Sequence, residues 1–171
     1  MLKLVPITDP ILRKVAIPVD AVDDVVRAIM DHMLDAMYRY DGTGLAAPQV
    51  GIGKRIVVME VPIDNRPDSP AEVLKIANPE ILWVSDEKEP LFQGCLSVPG
   101  TEGDVIRPCR IRVTYLDEHN VRQTVEASGL KSHCFQHEID HLNGILFIDY
   151  LSPLKRKMAF KKAQKFELTE A

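Results

Sequence analysis

The chain has 171 residues, of which 46% are hydrophobic and 27% charged, with a net charge of −4. That is the make-up of one soluble globular domain with an ordinary core, and it excludes a collagen-like, low-complexity or disordered chain. No apolar run reaches the length of a membrane span, Met1 to Pro6 shows no apolar export signal, and three cysteines are an odd count for a disulfide framework, so no membrane association and a reducing, cytoplasmic setting are expected.

Residues 20–40 read as the first helix, because Val22, Val25, Val26, Ile29, Met30, Met33 and Met37 recur at three- and four-residue steps. At this spacing the methionines fit core packing, and His32 belongs on the helix surface. Residues 42–51 (GTGLAAPQVG) are dense in glycine and alanine. They lack the Lys-Ser/Thr end of a phosphate loop and the GxGxxG spacing. Two readings stay open for them: a tightly packed loop, or backbone lying against a substrate with the Gln49 amide as a fixed donor. Residues 55–61 read as a short buried strand, 62–70 as loop, and 75–84 as a strand interrupted at Asn78-Pro79. Cys95 sits in QGCLSVPG, where Gly94 allows close backbone approach and Pro99-Gly100 forces a turn. Cys109, between Pro108 and Arg110 at the start of a strand, carries no such mark. Residues 111–116 and 121–127 flank a turn at 117–120, a hairpin with His119 facing solvent.

Residues 130–142 read as a helix closed by Asn143-Gly144, and Phe135, Ile139 and Leu142 are its apolar positions. Ser152-Pro153 opens a last helix with Ser at the N-cap and Pro at the first position. This helix, 153–167, is basic. Residues 151–171 hold six Lys and Arg against Glu167 and Glu170, a net +4, which leaves −8 on the rest of the chain. A solvated helix face explains that asymmetry, and so does an electrostatic contact with RNA or an acidic protein. Together the elements describe one α+β domain over residues 1–171, with antiparallel or mixed strands packed around a central helix and a C-terminal helix.

The central helix carries His137-Glu138-Ile139-Asp140-His141, an HExxH spacing. Residues four apart lie on one helix face, about 6 Å apart along the axis, so the two imidazoles can hold one metal ion. Glu138 can then reach a metal-bound water and take its proton. A third ligand must come from elsewhere. The extended pattern HExxHxxGxxH fails, because Phe147 stands at its last position, and carboxylates are scarce after His141. Cys134 lies on the same helix but about 10 Å along the axis from His141, too far for one ion, and reads as an apolar neighbour. Cys95 is the favoured third ligand, set against a buried free thiol as the plain alternative.

Three motifs now stand in order: Gly42-Thr43-Gly44-Leu45-Ala46-Ala47-Pro48-Gln49, then Gln93-Gly94-Cys95-Leu96-Ser97, then Gln136-His137-Glu138-Ile139-Asp140-His141. They resemble the GxGLAAxQ, EGCLS and QHExxH motifs of the peptide deformylase family, and the resemblance covers residues 1–152. It implies a metallohydrolase that removes the formyl group from the N-terminal formylmethionine of new polypeptides, releasing formate. It implies that Cys95, His137 and His141 bind the metal, with Fe²⁺ the native ion and Zn²⁺, Ni²⁺ or Co²⁺ able to substitute. Metal-bound water would attack the formyl carbon with Glu138 as general base and acid. Gln49 and the Leu96 N–H would stabilise the oxyanion. Thr43, Gly44, Leu130, His133 and Cys134 would meet the substrate, the last three around the methionine side chain. The resemblance also implies that the basic C-terminal helix docks a ribosome.

Three positions depart from the family pattern: Gln93 where it has Glu, Glu102 where it has Arg, and Thr43 where it has Ile or Val. None is a ligand or the acid/base. They bear on the electrostatics of the substrate rim, and two readings stay open: Gln93 donates to the Glu102 carboxylate, or both side chains are exposed and independent. Two other function classes use the same residues: an endopeptidase, and a non-catalytic metal or formyl-peptide binding module. The absence of a third His or Glu ligand argues against the first, and intact Glu138 and Gln49 against the second.

Overall fold

The run Ile56-Val57-Val58-Met59 is apolar on both faces of a strand, so it must be covered on both. The computed structural model, which describes residues 1–170, meets that demand with three layers. The side chains of residues 167–170, and with them the charges counted on Glu167 and Glu170, lie outside the described residues, as does Ala171. The central layer is a five-stranded antiparallel sheet. It is built from β1 (Gly44–Ala46), β2 (Ile56–Pro62), β3 (Ala71–Val84), β6 (Arg110–Leu116) and β7 (Arg122–Ser128), in the order β1-β2-β3-β6-β7. The helix α1 (Asp24–Arg39) covers one face, packing Met30, Met33 and Met37 against Leu45, Ile56 and Val58. The helix α2 (Gly129–Leu142) covers the other, packing Phe135, Ile139 and Leu142 against Val57, Met59 and Ile76. A third apolar cluster joins Ile7, Val98, Val105 and Phe147 to Ala159 and Ala163 of α3 (Pro153–Glu170).

Local chemistry sets the element ends. The first helix begins at Asp24 rather than at residue 20, because the Asp23 carboxylate caps it, accepting from Val26 N at 2.9 Å. Val22, counted with the helix from its spacing, lies in the preceding loop, where its N–H donates to Asn120 Oδ1. Val25 is 67% exposed and does not join the methionine stripe. The interruption in β3 falls where expected. Asn78 adopts φ 51, the pairing with β6 shifts between Ala77 and Glu80, and the Asn78 amide exchanges two hydrogen bonds with Val19. The β6–β7 turn is held by Asp117 Oδ1, which accepts from His119 N and Val121 N. Gly144, at φ 73, closes α2 against the Arg13 carbonyl.

One element had no signal in hydrophobic periodicity. Strands β4 (Lys88–Gly94) and β5 (Glu102–Pro108) form a separate antiparallel hairpin over the polar side of α2. Four side-chain hydrogen bonds tie it there: His133 to Glu89, Gln136 to the Pro108 carbonyl, His137 to Gln93, and Arg107 to Asp140. Thus α2 is covered on both sides, and even Ser132, Gln136, Glu138 and His141 are buried.

The two helix positions just contrasted give a test. Met33 has no exposed surface, so Met33→Ala should cost about 2–5 kcal/mol in urea unfolding, as a midpoint shift at constant slope. Val25→Ala should stay within about 0.5 kcal/mol of the parent. Comparable losses in the two variants would contradict the packing of α1 described above.

Candidate active site

The single helical turn between His137 and His141 turns both imidazoles toward the segment that follows β4. There His141 Nε2 lies 3.2 Å from Cys95 Sγ and 3.2 Å from His137 Nε2, and the three donor atoms all fall within 4.8 Å of one another. Among the described residues this is the one group of three such donors. A tetrahedral ion with ordinary metal–N and metal–S bonds separates its donors by about 3.3–3.6 Å, so the spacing fits one ion. The protonation states fit as well. Burial, reinforced by the Arg107 charge, pushes His137 down to about 4 and thereby leaves it neutral. Burial also lowers His141 well below its ordinary value, with His137 and Arg107 adding to the effect. His137 Nδ1 lies 2.8 Å from Gln93 Oε1, so Nδ1 carries the proton and Nε2 keeps the lone pair that a metal needs. Burial, with the Glu138 charge adding to it, raises the Cys95 thiol to about 12. A dication held by these atoms reverses that direction, because a coordinating thiol is deprotonated outright.

Glu138 projects from the same helix into a cleft of about 660 Å³ and is almost fully buried. Its Oε2 has no hydrogen-bond partner among the described residues, and burial raises its carboxyl to about 8. The backbone of β1 runs directly past it. A Cβ on Gly44 would stand 2.9 Å from Glu138 Cδ and closer still to Oε1, so only glycine leaves the carboxylate where it is. Gly42 makes a similar close approach to Leu96 on the facing wall.

Gln49 comes from a 3₁₀ turn, residues Ala47–Val50, and its amide is oriented from both ends. Oε1 accepts from Ala46 N at 2.8 Å, while Nε2 donates to Ser97 Oγ at 3.1 Å and lies 3.7 Å from Cys95 Sγ. Thr43, Gly44, Leu96, Leu130, His133 and Cys134 all line the cleft. Cys134 stays outside the donor group, its sulfur 4.0 Å from the Thr43 carbonyl. His133 is buried against Glu89 at 3.2 Å.

The pairing of Gln93 with Glu102 is not formed. The hairpin register sets Gln93 opposite Gly103 and Gly94 opposite Glu102, which puts the two side chains on opposite faces of the ribbon. Gln93 instead accepts from Arg107 at 3.3 Å as well as from His137. Arg107 is 4% exposed, pairs with Asp140 at 2.8 Å and lies over the Tyr150 ring, whose hydroxyl also donates to Asp140. This outer layer of Gln93, Arg107, Asp140 and Tyr150 was missed in the sequence.

With that geometry in place, comparison with known proteins decides the family. The polypeptide deformylase family profile matches residues 1–157. The chain belongs to the polypeptide deformylase family. It is 45% identical over 165 residues to a peptide deformylase of Bartonella bacilliformis, covering 95% of this chain and 91% of that one. It is 47% identical over 162 residues to a peptide deformylase of Methylocella silvestris, with 95% and 83% covered. The crystal structure of the Ehrlichia chaffeensis peptide deformylase superposes with a TM-score of 0.92 at 42% identity, covering 99% of this chain and 98% of that chain. A second structure of the Ehrlichia deformylase, in complex with actinonin, superposes with a TM-score of 0.90 at 43% identity over 97% of each chain. The fold, a single α+β domain with antiparallel strands around a metal-site helix, is thus that of deformylases, which are metal-dependent enzymes.

Gly44→Ala isolates the close approach of backbone and acid. The variant should fold, yet lose about 10²-fold or more in deformylation, since shifting an active-site group by about 1 Å is enough for that. Activity within about threefold of the parent would show that Gly44 does not guard the Glu138 position.

Proposed function

We propose that this enzyme hydrolyses the formyl group from N-terminal formylmethionine of newly made polypeptides, with Cys95, His137 and His141 holding Fe²⁺. One observation carries the reading: a Cys-His-His donor group lies beside an unpartnered, buried carboxylate oxygen in one cleft. A donor set of one thiolate and two imidazoles also suits Zn²⁺, Ni²⁺ and Co²⁺. When bound, the ion supplies Lewis acidity to the formyl oxygen and to a water molecule.

The remaining work falls to the chain. Glu138 takes a proton from the water that attacks the formyl carbon and returns it to the amine nitrogen as the C–N bond breaks, giving formate and a free N-terminus. Burial disfavours the ionised form of this carboxyl and a bound cation favours it, opposing effects that suit a group which must both take and give a proton. Gln49 Nε2 is held by its Oε1 partner and points to the Cys95–Ser97 side of the cleft, where it can donate to the developing oxyanion. The Leu96 N–H has no acceptor among the described residues and is the second donor. Leu130, His133 and Cys134 receive the methionine side chain at the far wall, with Thr43 and Gly44 along the backbone. A formyl carbon bears only hydrogen beside its oxygen, so a narrow site admits it and excludes an acetyl group.

Three substitutions separate these roles. Glu138→Ala should bind metal and release almost no formate. Cys95→Ala should bind metal far more weakly, and native affinity there would move the third ligand elsewhere. Gln49→Leu should lower kcat about 10²–10³-fold with metal retained, and a drop of less than about threefold would remove it from the oxyanion role.

The partner of this activity is the nascent chain at a ribosome in the cytoplasm. The helix α3 buries Ala159 and Ala163 and exposes Lys155, Arg156, Lys157 and Lys161, a face suited to RNA phosphate. Removing the helix would also uncover Val98, Val105 and Phe147, so charge reversal is the cleaner probe. Lys155→Glu, Lys157→Glu and Lys161→Glu together should abolish salt-sensitive cosedimentation with ribosomes while short formyl peptides are still hydrolysed. Undiminished cosedimentation would mean that α3 is not the docking face.

A further inference from the structure

The lining of the cleft holds Asp41, Glu102 and Glu138 and no lysine or arginine. Glu138 is spoken for by the chemistry; the other two are not. Asp41 follows the end of α1 at φ 54 and is exposed on one wall. Glu102 opens β5 on the other wall, and its Cγ lies 3.4 Å from where a Cβ on Gly94 would stand, beside the residue that precedes Cys95. Among the described residues neither carboxylate makes a hydrogen bond or an ion pair, although nine ion pairs with lysine or arginine engage other acidic residues there. Phe92 lines the same mouth with 64% of its surface exposed. The hairpin register pairs Gly94 with Glu102 and Phe92 with Asp104, so Phe92, Glu102 and Asp104 share one face of the ribbon. Lys162 lies across Gly100 and does not line the cleft.

An aromatic ring beside unpaired carboxylates fits one kind of side chain: a long aliphatic stem with a cationic head. Glu138 and the Cys-His-His group lie inside the cleft and Phe92 and Glu102 at its exposed mouth, so the residues that follow the methionine are the ones that run outward past them. We infer that Glu102, Asp41 and Phe92 make this cleft select formylated chains with lysine or arginine at the second or third position. The inference rests on the deformylase reading and narrows its substrate class.

The test uses the intact, metal-loaded enzyme and four peptides: formyl-Met-Lys-Ala, formyl-Met-Ala-Lys and their glutamate counterparts. An exposed charge contact changes affinity about 1.4- to 5-fold. With two carboxylates at the mouth, the better lysine peptide should exceed its glutamate counterpart about 2- to 10-fold in kcat/KM at low salt. The difference should fall mainly on KM, and about 0.5 M salt should flatten it. Glu102→Arg should reverse the ratio, and Asp41→Asn, which tolerates the same left-handed backbone, should shrink it. Formate from all four peptides with equal efficiency in the parent enzyme would overturn this inference alone. A parent preference that survives unchanged in Glu102→Arg and in Asp41→Asn would overturn the assignment to these carboxylates. No formate from any peptide by the metal-loaded enzyme would overturn the deformylase reading, and the inference with it.

Discussion

His141 Nε2 sits 3.2 Å from both Cys95 Sγ and His137 Nε2, so three atoms able to give a lone pair to one cation meet at one point. Burial holds both imidazoles neutral, which keeps their lone pairs available to such a cation. The protein has to hold these three donors together by force of packing. It does so with one turn of helix for the two histidines and a glycine-flanked strand end for the cysteine. Everything else in the site is arranged around that constraint.

The packing that supplies the force is unusual for a helix carrying so many polar groups. One side of α2 lies on the sheet through Phe135, Ile139 and Leu142. The opposite side is covered by the β4–β5 hairpin through hydrogen bonds rather than apolar contact. Covering a polar face with polar partners avoids the cost of leaving buried donors and acceptors unpaired. It also fixes the ring of His137 from behind, so the protein itself sets the direction in which Nε2 points. The gap left between Gly44 and Glu138 is the complement of this rigidity. Backbone without a side chain lets β1 pass directly against the Glu138 carboxyl while leaving that group buried.

What the sequence made legible follows from this division. The HExxH helix, its glycine stop, and Cys95 between Gly94 and a Pro-Gly turn are local signals, readable from spacing alone. The sheet strands were legible where both faces are apolar, as in Ile56 to Met59, or where a polar turn separates two alternating runs, as at Asp117 to Asn120. The hairpin was not, because Lys88 to Gly94 buries no residue fully and earns its place through hydrogen bonds that periodicity does not register. A pairing of Gln93 with Glu102 stayed open for the same reason. Without the strand register, nothing said that adjacent-looking positions point to opposite faces. The start of α1 was drawn too early because Val22 shares the spacing of the stripe while belonging to the loop that Asp23 caps.

The charges around the site suggest why Gln93 is tolerated where the family pattern has a carboxylate. Arg107 is buried and needs a counter-charge, and Asp140 already supplies one at 2.8 Å, with Tyr150 completing the set. Under the metal reading, the inner layer also closes on neutrality: a dication faces the Cys95 thiolate and the Glu138 carboxylate. A carboxylate at position 93 would add a negative charge between two layers that are each already balanced. The neutral amide keeps the one function that the geometry requires, an oxygen for the His137 Nδ1–H, and adds no charge. Its oxygen is held in place by Arg107, which leaves the amide nitrogen without a partner among the described residues. The cost of that orphaned N–H is the counterpart of the neutrality gained, and it falls on the outer layer rather than on the atoms that do the chemistry.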